Sequence, residues 1–210
     1  MTTPKEVIVF DCEYMTADGA MGRLWTGPVD PDPIVVQIGA VKLSLEGDCQ
    51  IVDTERIFIR PVDRLGQILE LDPYFIDLTG ISQAKMDAEG ISLLAALQKF
   101  KSFAAGEPFW SWGKDELNLL AISCFIAGIP PTIPAHRFGN ARSLLFRTGM
   151  SQEDIMATNS GQLAAYFGIA EPNKQHHDAL DDAMSVAMVL RHFLQSGQLS
   201  AQDFDRSSRI

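Results

Sequence analysis

The ten residues EVIVFDCEYM (6–15) decide how this chain is read. EVIVF (6–10) is a short apolar, β-branched run, which predicts a buried strand ending at Asp11. Side chains alternate along a strand, so Asp11 and Glu13 share one face at its carboxyl end. Two carboxylates so placed repel and raise each other's pKa unless a cation sits between them. The alternative is a strand-end turn whose acids are solvated. Asp-x-Glu is a common triplet in a chain with 27 acidic residues, and it recurs at Asp53/Glu55 and Asp87/Glu89. Only the first copy closes a buried apolar strand.

Downstream, TADGAMGRLWTGPVDPDP (16–33) is rich in Gly, Pro and Asp and reads as a long loop. IVVQIGAVKLSL (34–45) and TERIFIRP (54–61) are two further strands, joined through a hairpin turn at LEGDC (45–49). LDPYFIDLTGIS (71–82) predicts a short helical turn closed near Gly80, and ISLLAALQKFKSFAA (91–105) has apolar residues at helical spacing. EPFWSW (107–112) is a brief strand before a helix over 115–128 that Gly128 and Pro130 stop. HRFGNAR (136–142) is a further candidate strand and SGQLAAYFG (160–168) a short helix. Strands followed by alternating helix and strand predict one α/β domain over 1–196 with a mixed sheet flanked by helices. Residues 197–210 read as a polar, frayed tail.

Length and composition agree. A chain of 210 residues, 46% hydrophobic and 21% charged, suits one domain with a sizeable core. Its apolar runs fall short of the roughly 18–20 residues that a membrane span needs, so no membrane partner is expected. The amino end lacks the pattern of a secretory signal. Cys12, Cys49 and Cys124 form no CxxC pair, which predicts a reducing, cytoplasmic setting. The net charge of −10 is the wrong sign for a protein that grips long nucleic acid. Either the partner is no polyanion, or contact is confined to a few nucleotides and metal ions supply positive charge.

The strongest helix is HDALDDAMSVAMVLRHFLQSG (177–197). Ala179, Ala183, Val186, Ala187 and Leu190 fall on one face, and Asp182 lies beside that seam whereas Asp181 points away. Two His-x4-Asp pairs coexist, His176 with Asp181 and His177 with Asp182, and helix geometry favours the second. Acids complementing the helix N-terminus explain Asp178 and Asp181 well, but Asp182 less so. In SWGKDE (111–116), Asp115 follows a strand and opens a helix, which fits an N-cap as well as a ligand.

Taken together in this order, these pieces resemble the DEDDh exonucleases, a branch of the ribonuclease H-like 3′–5′ exonuclease superfamily. FDCEYM (10–15) is similar to the family's first motif. HDALDDA (177–183) matches its third at His177, Ala179, Asp182 and Ala183. QIGAVKL (37–43) resembles its second strand and LTGIS (78–82) a loop common in these enzymes. SWGKDE departs from the usual second motif and resembles the Trp-Gly form of some exoribonuclease relatives, which leaves Asp115 and Glu116 as competing candidates.

The resemblance implies a ribonuclease H-like fold and hydrolysis of single-stranded nucleic acid from its 3′ end to nucleoside 5′-monophosphates, leaning toward RNA. It implies two divalent ions, Mg²⁺ or Mn²⁺, with Asp11 bridging both, Glu13 and Asp182 completing the first site and Asp115 supporting the second. His177 would take the proton of the attacking water. His176 reads as solvent-facing, and His136 and His192 read as surface or structural histidines. Tyr14, Met15, Trp25 and Trp112 are candidates to stack on terminal bases or to pack in the core, and Arg23, Arg142 and Lys174 to meet phosphates or sit idle at the surface. Many family members form homodimers, and no feature of this sequence decides that. The competing class is a nucleic-acid-binding or regulatory module that keeps the fold without hydrolysis.

Overall fold

A computed structural model of the chain describes residues 3–113, 115–170 and 177–206. Five strands form one mixed sheet in the order β3-β2-β1-β4-β5. They are β1 (Glu6–Tyr14), β2 (Val35–Ser44), β3 (Ile51–Phe58), β4 (Phe109–Ser111) and β5 (Phe138–Asn140). The first three pair antiparallel, and β4 and β5 continue the sheet parallel to β1. Eight α-helices accompany them among the described residues: α1 (Pro73–Thr79), α2 (Gln83–Glu89), α3 (Leu93–Ala104), α4 (Asp115–Ile126), α5 (Ala141–Arg147), α6 (Gln152–Ala157), α7 (Leu163–Tyr166) and α8 (Ala179–Gln195).

The central strand is apolar on both faces because both are covered. Val7 and Val9 of β1 face α8, packing with Val41 and Leu43 of β2 against Ala183, Val186, Ala187, Val189 and Leu190. Ile8, Phe10 and Cys12 face the other way, onto Leu97 and Phe100 of α3 and Leu120 and Cys124 of α4. The same alternation carries Asp11 and Glu13 onto the α8 side. Strand β1 runs on through the acidic triplet to Tyr14, four residues past the apolar run, because Asp11, Cys12 and Glu13 still pair with Gly39, Ile38 and Gln37 of β2.

The strands, the hairpin, the helical turn ending at Gly80 and the long helices lie where the sequence places them. Helices α2, α5 and α6 carry no clear sequence signal. Each spans at most seven residues, and α2 and α6 bury one side chain apiece, Met86 and Ile155, so there is no apolar period to read. The expectation of a frayed tail does not hold over 197–206. Leu199 and Phe204 are buried, and Phe204 meets Trp110 edge-on at 5.3 Å, so a 3-10 turn at Ala201–Phe204 closes the core. Two apolar side chains in a polar stretch are too sparse to register as a pattern. Among the described residues, no helix is long and apolar enough to cross a membrane.

Candidate active site

Where β1 ends, the amino end of α8 crosses the sheet in contact with β2. A Cβ on Gly39, which pairs with Asp11, would stand 2.0 Å from the backbone nitrogen of Leu180. Only glycine permits that approach, and the approach brings Asp182 to Asp11. The helix end is fixed by its N-cap. Asp178 accepts from the amides of Leu180 and Asp181, from Gln37 Nε2 at 3.1 Å and from Arg56 Nη2 at 2.7 Å. Gln37, fully buried on β2, also accepts from the Ala179 amide at 2.9 Å. Asp178 therefore fills the capping role read from the sequence, and Asp181 lies 3.9 Å from Arg56.

Asp11, Glu13 and Asp182 each offer a carboxylate oxygen, and the three atoms lie within 4.8 Å of one another. All three residues are buried. Asp182 also accepts from Ser160 Oγ at 3.5 Å, and a Cβ on Gly161 would press to 2.3 Å from Asp182 Oδ1. Burial, followed by the charges of Glu116, Glu13 and Asp182, holds the Asp11 carboxyl well above its ordinary range. Burial, with Asp182 and Asp178 adding to it, pushes Glu13 up to about 8.

The second-motif residues separate clearly. Asp115 is exposed on the first turn of α4, at the edge of the cleft. Glu116 is buried, and its Oε2 finds no hydrogen-bond partner among the described residues. Burial raises its carboxyl to about 7. Its charge also acts on Asp11. His177 lines the same cleft and is exposed, with φ of 57°. That left-handed backbone costs a non-glycine residue roughly 1–3 kcal/mol, a strain that clusters at functional sites. The cleft encloses about 260 Å³, and Tyr14, Met21, Trp112, Arg142, Asn159 and Ser160 also line it.

Other candidates for base or phosphate contacts are engaged within the fold. Met15 is buried, and Trp112 packs in the core with its Nε1 donating to the Thr158 carbonyl at 2.7 Å. Tyr14 and Trp25 are half-buried against each other, ring centroids 5.4 Å apart. Arg23 pairs with Asp30 at 2.6 Å. His136 and His192 are exposed, as expected of surface histidines. His176 and Lys174 lie outside the described residues. Sequence reasoning passed over Gln37, Gly39, Ser160 and Gly161, whose roles depend on contacts between segments distant in the chain.

The donor set suits a hard divalent cation. It is all carboxylate, too crowded and too buried to stay ionised unaided, and Glu116 holds an idle acceptor beside it. No family model matches the chain, and no curated protein sequence does. Solved structures do. The nuclease domain of 3′hExo, a DEDDh family member bound to rAMP, matches with a TM-score of 0.76 at 19% identity, over 93% of this chain and 94% of that one. The full-length 3′-exonuclease matches at 0.74 and 19%, with this chain spanning 62% of its length. Cell-death related nuclease 4 matches at 0.69 and 20%, over 93% of this chain and 65% of that one. The E. coli ExoI–ssDNA complex with zinc matches at 0.64 and 14%, over 96% and 42%. The chain has the ribonuclease H-like fold of the DEDDh exonucleases, a mixed five-stranded sheet flanked by helices.

Proposed function

We propose that this protein is a metal-dependent 3′–5′ exonuclease that shortens single-stranded nucleic acid to nucleoside 5′-monophosphates, with RNA preferred to DNA. The observation that carries this reading is the buried trio Asp11, Glu13 and Asp182, gathered at the end of β1 in a cleft of a DEDDh-type fold. The RNA preference rests on the similarity to 3′hExo and to a 3′-exonuclease recognising a histone mRNA stem-loop. That similarity exceeds the likeness to ExoI with single-stranded DNA.

Asp11, Glu13 and Asp182 would hold one of two Mg²⁺ or Mn²⁺ ions, and Asp11 would share the other with the second-motif acid. We assign that acid as Glu116 rather than Asp115, because Glu116 is the buried one with an unpartnered oxygen. When bound, such ions lower the pKa of water and offset charge on the phosphate. His177, at the cleft wall, accepts the proton of the attacking water, a task suited to an imidazole near neutral pH. Desolvated carboxylates would repel a phosphodiester if left bare, and cations in their midst turn that repulsion into attraction.

The test uses 5′-labelled single-stranded RNA and DNA oligonucleotides with Mn²⁺, Mg²⁺ or EDTA. A ladder shortening from the 3′ end, lost in EDTA and in Asp11→Asn, is the expected result. Folded protein that shortens neither substrate in either metal, yet binds both, would instead establish a non-hydrolytic module.

A further inference from the structure

The cleft is lined by five carboxylates, those of Asp11, Glu13, Asp115, Glu116 and Asp182, and Arg142 is the one lysine or arginine described on its wall. Arg142 sits in the second position of α5, and its backbone amide donates to Asn140 Oδ1 at 2.9 Å. Its guanidinium lies 5.4 Å from the centre of the Trp112 ring, a face fixed in the core by the Trp112–Thr158 hydrogen bond. A Cβ on Gly113, three residues before Glu116, would lie 3.6 Å from the Arg142 Cζ, which places the guanidinium on the Glu116 side of the cleft.

Arginines elsewhere in the fold are committed. Arg56 holds Asp178 at 2.7 Å, and Arg23 holds Asp30. Arg142 differs: among the described residues it forms no ion pair, and its buried Nε has no hydrogen-bond partner. A desolvated guanidinium N–H without an acceptor is costly, and stays so until one arrives. Because Arg142 lines the cleft, an acceptor entering the cleft can meet its planar donor fork, and an anionic one also answers its charge. A phosphate group does both.

We propose that Arg142 clamps the non-bridging oxygens of the phosphate that enters this cleft, gripping it equally in substrate and product. This rests on the exonuclease reading for its substrate, but it makes a claim about phosphate binding that stands apart from hydrolysis. The Trp112 ring beneath the guanidinium limits where the fork can go, so the residue acts as a positioned clamp more than as a diffuse charge. A contact made alike before and after the reaction appears in KM and in product affinity, with kcat little changed.

The test measures adenosine 5′-monophosphate binding by calorimetry in Mn²⁺, with kcat and KM on a labelled oligonucleotide, for wild type, Arg142→Gln and Arg142→Lys. Arg142→Gln is expected to weaken nucleotide binding and raise KM about 10- to 100-fold, the range for losing a hydrogen-bonded charge. Arg142→Lys, which keeps charge but loses the fork, should fall between. If Arg142→Gln does not fold, the lysine variant alone decides. Wild-type nucleotide affinity in a folded variant overturns the clamp, as does failure of the wild type to bind the nucleotide. Weakened nucleotide binding in a protein that hydrolyses nothing would sustain the clamp and sink only the exonuclease.

Discussion

Asp11 and Glu13 on β1, and Asp53 and Glu55 on β3, are the same triplet on two strands of one sheet, separated only by β2. On β3, Asp53 is exposed and Glu55 reaches Lys99 at 2.9 Å across the sheet surface. On β1 the pair is buried among further carboxylates, and its acidity is suppressed. The sequence motif is identical in kind, and strand position decides its chemistry. An edge strand gives its acids water and lysine partners. A central strand capped by a helix N-terminus withholds both, and the resulting instability is what a cation relieves.

Paired substitution challenges this contrast most severely. Asp11→Asn is expected to lower exonuclease activity at least about 100-fold, the scale for losing a group that meets charge in the transition state. Metal-free Asp11→Asn should melt no lower than wild type at pH 8, because it removes a buried repulsion. Asp53→Asn with Glu55→Gln should leave activity within about twofold, since exposed side chains away from the cleft contribute little. Comparable losses in both would refute the assignment of chemistry to β1.

The two triplets should also part in their pH dependence. Glu13 titrates near 8 in the folded protein against an ordinary 4.5. Between those values the folded state binds more protons than the unfolded one, so stability of the metal-free protein falls as pH rises from about 4.5 to about 8. Each tenfold difference in proton affinity between the two states is worth about 1.4 kcal/mol, so the loss amounts to a few kcal/mol. Saturating Mn²⁺ should flatten that slope, since the ion replaces the protons, and thermal melts with EDTA or Mn²⁺ across this range measure it. A metal-free protein that gains stability between pH 5 and pH 8 would contradict the carboxylate burial.

Two smaller effects follow from the same contrast. Gly39→Ala should cost roughly 1–3 kcal/mol from overpacking and lower activity further by shifting Asp182 away from Asp11, read by melting and kinetics together. Lys99→Ala, which strips Glu55 of its partner on an exposed face, should change stability by less than about 1 kcal/mol and leave activity untouched.

Much of this was legible in the sequence because the signals are local. An apolar run that ends in acids, a helix whose seam lies beside Asp182, and a glycine stop at residue 80 each need only neighbouring residues. Asp115 and Glu116 could not be separated that way. Both open α4, and only the packed sheet puts one in water and the other next to Asp11. Gly39 and Arg142 have the same character: a glycine in a strand and a lone arginine mean little until α8 is seen on β2 and Trp112 under the guanidinium. The tail failed for a related reason, since Phe204 is anchored by Trp110, a residue far off in the chain.

The most direct measurement is a calorimetric titration of Mn²⁺ into EDTA-treated, dialysed protein at pH 8. Wild type and the Asp53→Asn/Glu55→Gln variant are expected to give the same saturable binding heat, and Asp11→Asn to lose it. Equal heats from wild type and Asp11→Asn, or none from wild type, would contradict a cation site built on β1.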